Sequence, residues 1–387
     1  MKNVAIILPN FRSGGSERFA SRLSALLSEK HKVYIIVFEN ERQDFNFSGE
    51  LIDLKLPAEK GFLKRVLTLF RRAARIRKTV REKNICTAFS FTNAPNNALS
   101  FSRAKCKKYI SCRGFEHLLK NPGFYRRAVK LGCNILFNSE EMREYYRNLY
   151  PIDKDKLFTA YNIFDSATIA SAAKEKLDSD YEHFFESHKV IACASRFAEE
   201  KCQWDMLKVF SIVKERVPDA GLIFIGYRGS LEEEIREMAK RSPYADDIVF
   251  AGFQSNVFKF VSRADVFALT SYSEGFPNVL VEAMLCKTPV VAADCPSGPS
   301  EILSPNKDYM VHCTDTIYAD FGILCPIFSK TVDLDYGNTT TAHRSFADAI
   351  SDILTDNRLQ EKYSKAAYER GMDFDSKHIS QIYFDLI

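Results

Sequence analysis

Two carboxylates, Glu274 and Glu282, bracket a glycine, aromatic and proline loop in the stretch Ser273-Glu274-Gly275-Phe276-Pro277-Asn278-Val279-Leu280-Val281-Glu282-Ala283-Met284. Pro277 suits the first turn of a helix, where its missing N–H has no partner to lose, so the loop before it leaves backbone donors at a helix start. Such donors favour phosphate and other anions. Glu282 falls four residues beyond Asn278, one turn into the helix, and its carboxylate leans back towards the loop. There it can accept two hydroxyl hydrogen bonds, as the acidic residue of dinucleotide folds does from ribose. Glu274, on the loop itself, would reach the other end of the same ligand. Taken alone, either glutamate also suits a cap or a solvated surface.

Two further groups fit an anionic ligand. Arg196 and Lys201 follow the apolar run Val190-Ile191-Ala192-Cys193-Ala194-Ser195 and flank the start of a helix expected to run to Arg216. At the carboxyl edge of a strand they would neutralise a diphosphate, where a pair of charges about 4 Å apart is worth about 4 kcal/mol at an effective dielectric near 20. By themselves they equally fit a solvated helix face. Gly14 and Gly15, in Asn10-Phe11-Arg12-Ser13-Gly14-Gly15-Ser16-Glu17, would let backbone approach a ligand or simply make a tight turn.

The elements that must position these residues alternate along the chain. A continuous apolar run at Val4 to Pro9 reads as a buried parallel strand, and Val33 to Phe38, Leu51 to Leu56, Cys86 to Phe91, Lys108 to Ser111 and Ile135 to Ser139 read as further strands with helical stretches between them. A second series follows at Val190 to Ser195, Gly221 to Gly226, Ile248 to Gly252, Ala264 to Thr270 and Thr288 to Ala293. The Ser, Ala, Lys and Glu-rich segment from Ser166 reads as the connection between them. Two βαβα series imply an α/β protein of two doubly wound parallel sheets facing a central cleft. We expect an amino-terminal domain over 1–170, a second over 171–375, and a helix over 376–387 that packs back on the first. Carboxyl ends of strands line the crevice of such sheets, which adds Ser90, Thr92, Ser111, Arg113, Asn138 and Ser139 as pocket or cap residues. The chain has neither a G-x-G-x-x-G fingerprint nor a Walker loop, which argues against a nicotinamide enzyme or a P-loop NTPase.

Over 387 residues the net charge is +4, but it is divided: residues 1–166 carry +15 and the rest −11. Residues 60–83 concentrate ten Lys and Arg against one acid among Leu, Phe, Val and Ile, the pattern of a basic amphipathic helix. Such a helix either packs on its sheet with a solvated face or lies on an anionic membrane surface. We expect the membrane surface and no nucleic acid. No apolar run approaches the about 20 residues that cross a bilayer, and no signal segment is expected at Met1-Lys2-Asn3. The ten cysteines form no Cys-x-x-Cys pair and no zinc spacing, so reduced thiols in the cytoplasm are expected.

The string EGFPNVLVEAM closely resembles the signature of glycosyltransferase family 4, retaining transferases of GT-B fold. Gly14-Gly15-Ser16-Glu17, Ser195-Arg196 with Lys201, Phe250-Ala251-Gly252-Phe253 and Asp294-Cys295-Pro296-Ser297-Gly298-Pro299-Ser300-Glu301 follow in the family's order, over nearly the whole chain. The resemblance implies that Arg196 and Lys201 hold the donor diphosphate, Glu282 the ribose hydroxyls and Glu274 the sugar hydroxyls. The amides of Gly275, Phe276 and Asn278 would serve sugar and phosphate oxygens, with Gly14, Gly15, Phe253 and Val279 also at the donor. Many members carry a His in the amino-domain loop where Arg113 stands here; His117 follows four residues on, and both are candidates for a catalytic role.

The Asp294 to Glu301 string looks most like transferases that build bacterial capsule, O-antigen or lipid-linked oligosaccharides from UDP-sugars. The expectation is a retaining transfer of a hexose or N-acetylhexosamine from a UDP-sugar to a lipid-linked or polysaccharide acceptor. It would occur at the cytoplasmic face of the membrane, with no prosthetic group and no metal, since Asp333-Leu334-Asp335 lies away from the motifs. A UDP-sugar epimerase or hydrolase, or a non-catalytic binding protein, would use the same fold.

Overall fold

The computed structural model describes residues 1–12, 14–40 and 45–387, which form two units: Met1–Phe164 with Ser376–Ile387, and Asp165–Asp375. In the first, strands β1 (Asn3–Leu8), β2 (Lys32–Val37), β3 (Glu50–Asp53), β4 (Ile85–Ser90), β5 (Lys107–Cys112), β6 (Asn134–Phe137) and β7 (Leu157–Thr159) make one parallel sheet. Their order is β3-β2-β1-β4-β5-β6-β7. Strand β1 is apolar from Val4 to Leu8 because helices cover both faces of the sheet: Val4, Ala5, Ile6, Ile7 and Leu8 are all fully buried. Burying each of the larger ones, Val4, Ile6, Ile7 and Leu8, is worth about 1.5–3 kcal/mol relative to exposure, which makes β1, with its neighbour β4, the rigid centre of the unit. Strand order reverses between them, so the loops after β1 and β4 flank the switch point where an open α/β sheet leaves a crevice. The last helix, Ser376–Asp385, belongs to this unit, held by Tyr383 Oη donating to the carbonyls of Ala160 (3.3 Å) and Tyr161 (2.8 Å).

The second unit contains β8 (Lys189–Ala194), β9 (Ala220–Ile225), β10 (Ile248–Gly252), β11 (Val266–Leu269), β12 (Val290–Ala293), β13 (Ile317–Tyr318) and β14 (Ile323–Cys325). Its order is β10-β9-β8-β11-β12-β14-β13, parallel except where β13 runs antiparallel to β14. The switch point lies between β8 and β11. Strands β7, β13 and β14 went unread in the sequence because two or three residues carry no period. The segment after Phe164 differs from the expected linker: it holds helices Ser166–Ala173 and Ser179–Ser187. Asp165 caps the first by accepting from the Thr168 N–H (2.9 Å), and alanine, the best helix former, fills it. Its carboxyl end is tied down where Asn256 and Ser262 donate to the carbonyls of Ala172 and Ala173.

Candidate functional site

In the second unit three neighbouring strands, β8, β11 and β12, end beside one another, and the loops that leave them carry the residues singled out above. After β8 the chain passes Ser195 and Arg196, makes a 3-10 turn at Glu199–Lys201, and enters the helix Gln203–Arg216 through Cys202 in the left-handed region at φ 52°. After β11 it runs through Thr270 to Pro277 into the helix Asn278–Leu285; Pro277 is the residue before the first turn rather than within it. After β12 come Asp294 to Gly298 and the short helix Pro299–Leu303.

These loops are tied together. Thr270 Oγ1 donates to the Lys201 carbonyl (2.6 Å), and the Tyr272 N–H to the Glu200 carbonyl (3.1 Å). Lys201 Nζ donates to Glu274 Oε1 at 2.6 Å, with both side chains largely buried. From the other side the Glu274 N–H reaches the Pro296 carbonyl (3.3 Å), and Ser297 Oγ donates to the Gly275 carbonyl. Gly298, at φ +115°, packs on Pro277 so closely that a Cβ there would stand 2.3 Å from Pro277 Cδ. The loop between the two glutamates is thus clamped on both flanks. Phe276, buried, meets Phe374 edge-on at 5.4 Å.

Glu282 is buried on the helix that follows, while Asn278 and Val279, half-buried, open that helix. Arg196 is exposed and pairs with Glu200 at 3.1 Å, so it does not share the buried Lys201–Glu274 contact. Its loop is braced by Gln203, whose Nε2 donates to the Arg196 carbonyl (2.6 Å). Sequence reasoning missed Gln203, although the first helical position after a strand-end loop is where such a brace belongs. Phe253, just past β10, is 63% exposed and meets Tyr227 edge-on at 4.9 Å, leaving an aromatic face in solvent.

Behind the clamp sits Asp294, fully buried. Burial alone would raise its pKa, but hydrogen bonds from His312, Ser300, the Cys313 N–H and Lys307 hold it well below the usual carboxylate range. The Lys307 and Cys313 contacts are 3.0 and 2.7 Å, so this one carboxylate anchors the segment 304–313 to the β12 loop.

In the first unit Gly14 is extended (φ −176°) and precedes the helix Gly15–Ser28. A Cβ on Gly14 would meet Glu17 Oε2 at 2.2 Å, whereas one on Gly15 would stand in open space, so Gly15 presents bare backbone. Burial raises the pKa of Glu17. Ser13 of this loop lies outside the described residues. Arg113, at the end of β5, stacks over Phe19 (3.9 Å to the ring centroid) and bonds Asn162 Oδ1, and burial lowers its pKa to about 10. That packing makes it a strut between elements of the unit.

His117, on the short helix Phe115–Lys120, contacts Tyr125 Oη through Nδ1 (3.1 Å), and burial lowers its pKa. It lines a cavity of about 450 Å³ with Asn93, Asn97, Lys120, Asn121, Phe124 and Arg127. Arg113 is not among the residues lining that cavity, so the two candidates serve different places. Ser90 bonds Asn96 (2.7 Å) inside the core, and Ser139 caps the helix Glu140–Leu149 by accepting from the Met142 N–H (3.1 Å). Both act in the scaffold. The basic segment forms the helix Phe62–Glu82, exposing Phe62, Leu63, Leu67 and Phe70. One of its cations turns inward: Arg72 lies over Phe38 (4.0 Å) and donates to the Leu56 carbonyl. Among the described residues no three His, Cys, Asp or Glu are grouped to share a metal ion, and no helix is long and apolar enough to cross a membrane.

Comparison with known proteins gives these loops a context. Residues 175–319, which contain β8 to β12 and all three loops, match the family described as glycosyl transferases group 1. The chain is 28% identical over 258 residues to an uncharacterized glycosyltransferase of Methanocaldococcus jannaschii, covering 66% of this chain and 63% of that relative. It is 24% identical over 396 residues, 98% of each chain, to the N-acetylgalactosamine-N,N'-diacetylbacillosaminyl-diphospho-undecaprenol 4-alpha-N-acetylgalactosaminyltransferase of Campylobacter jejuni. Among solved structures, Anabaena HepE in complex with UDP superposes with a TM-score of 0.72 at 17% identity, covering 100% of this chain and 99% of that one.

Proposed function

We propose that this chain, a group 1 glycosyltransferase of GT-B fold, moves a hexose or N-acetylhexosamine from a UDP-sugar to a lipid-linked or polysaccharide acceptor with retention of configuration. The observation that carries the reading is the contact of Lys201 with Glu274 at 2.6 Å inside clamped loops at the sheet's switch point. A cation for phosphate and a carboxylate for sugar hydroxyls meet at one place, which is where the bond between sugar and diphosphate would lie. The Campylobacter relative, aligned over 98% of its length, is named for a diphospho-undecaprenol acceptor, and HepE was solved with UDP; both favour this substrate pair.

In this reading Lys201, joined by Arg196, neutralises the leaving diphosphate, and the amides of Gly275, Phe276 and Asn278 complete its oxygens' hydrogen bonds. Glu282, held on a helix, takes the ribose hydroxyls, and Phe253 beside Tyr227 offers a face to the base. Glu274 orients the sugar. The leaving phosphate itself can accept the acceptor's proton, so the work falls to positioning and charge stabilisation without a prosthetic group. The first unit, which contains residues 1–164 of the strongly basic half, takes the acceptor and rests on an anionic membrane surface.

A panel of UDP-sugars offered with a polyprenyl-diphosphate-linked saccharide tests this, with the anomeric configuration of the product read by NMR. The expected product keeps the donor's α-configuration. UDP-sugar consumed equally without any acceptor would point instead to an epimerase or hydrolase.

A further inference from the structure

The helix Phe62–Glu82 and the helix Asn93–Phe101 enclose a cavity of about 950 Å³. It lies beside the amino ends of β4 and β5, since Asn84, Ile85 and Cys86 form one wall and Ser102, Arg103 and Lys105 another. Crevices of parallel sheets form at the opposite, carboxyl ends, so this cavity is separate from the loops that follow those strands.

Its chemistry is two-sided. Arg77, Lys78, Arg81, Arg103 and Lys105 line it with no acidic residue. Lys78 pairs with Glu82 at 3.6 Å, but the side chains of Arg77, Arg81, Arg103 and Lys105 have neither ion pair nor hydrogen bond among the described residues. The floor is apolar: Phe70 meets Phe101 edge-on at 5.9 Å, beside Ala73 and Val80. At about 100° per residue, Leu63, Leu67, Phe70, Ala74, Arg77 and Arg81 fall on one stripe of the helix. An exposed apolar stretch therefore runs along the helix into the cationic cavity.

We propose that this cavity binds the phosphate headgroup of an anionic phospholipid, while Leu63, Leu67 and Phe70 enter the acyl boundary of the same leaflet. A cluster of unpaired cations above an apolar floor matches one phosphate with its attached chains better than it matches a soluble polyanion, which has nothing to place on Leu63 and Leu67. The proposal deepens, and rests on, the membrane reading of this helix. It replaces diffuse attraction by a defined site.

The full chain is sedimented with phosphatidylcholine vesicles that contain or lack phosphatidylglycerol. The pair Arg81→Glu with Arg103→Glu, both exposed and in the cavity, is expected to weaken binding at least about tenfold more than Arg71→Glu with Arg75→Glu, which reverses the same charge outside it. Equal losses would overturn the site and leave only diffuse attraction; no binding to phosphatidylglycerol by the unaltered chain would overturn the membrane reading as well. Cys86, half-buried in the cavity wall, supplies a local readout. Monomeric dihexanoyl phosphatidylglycerol is expected to slow its reaction with maleimide, and unchanged labelling would overturn the proposal.

Discussion

At the scale of single residues, the Lys201–Glu274 pair joins positions 73 apart in sequence. Nothing local in the chain announces it. Both glutamates and both cations were legible as types at suggestive spacings, but which cation meets which carboxylate depends on β8 and β11 lying side by side. Lys201→Met would leave Glu274 without its charge partner in a largely buried place, at a cost of about 3 kcal/mol. The double variant with Glu274→Gln should recover part of that loss, as read from denaturant midpoints in a double-mutant cycle. Arg113 was equally visible as a cation at a strand end, yet its stacking on Phe19 and bond to Asn162 come from the packed unit. Burial holds His117 below the usual histidine value, so the unfolded chain takes up its proton first as pH falls. The stability that neutral His117 contributes is present above about pH 6.5 and is lost as pH drops towards its folded value. Denaturation midpoints from pH 8 to 5 should fall less steeply in His117→Gln than in the unaltered protein.

At the scale of elements, the strands read most clearly were the long apolar runs that sheets bury on both faces, β1 and β9 among them. The short β14 and the edge strand β13, and the helices after Asp165, were not legible, because strands of two or three residues have no period and an Ala and Ser-rich segment looks the same as a linker or a helix. The site's clamp was half legible: Ser297 and Gly298 stood in a recognisable string, but their contact with Gly275 and Pro277 appears only once β11 and β12 are paired. Gly298→Ala meets both a left-handed backbone and a 2.3 Å clash with a proline ring, so we expect a loss of about 1–3 kcal/mol with donor binding weakened alongside. Thermal denaturation with and without UDP checks both. Asp294→Asn removes the charge partner of Lys307 and is expected to release the segment 304–313, seen as faster hydrogen exchange there while β8 and β9 stay protected.

At the scale of the whole molecule, the charge division visible in the sequence coincides with the division into units: the basic half carries the helix Phe62–Glu82, and the acidic half carries the clamped loops. Under the proposed function, the acidic unit would have to supply the cations for UDP locally, and Lys201 and Arg196 are the candidates. In the proposed function these loops hold a uridine diphosphate sugar. Calorimetric titration of UDP into the unaltered chain and into Lys201→Met and Glu282→Gln tests it most directly. UDP is expected to bind the unaltered chain and to bind both variants at least about tenfold more weakly, a difference of about 1.4 kcal/mol. UDP bound with unchanged affinity by either variant, or not bound by the unaltered chain, would contradict it.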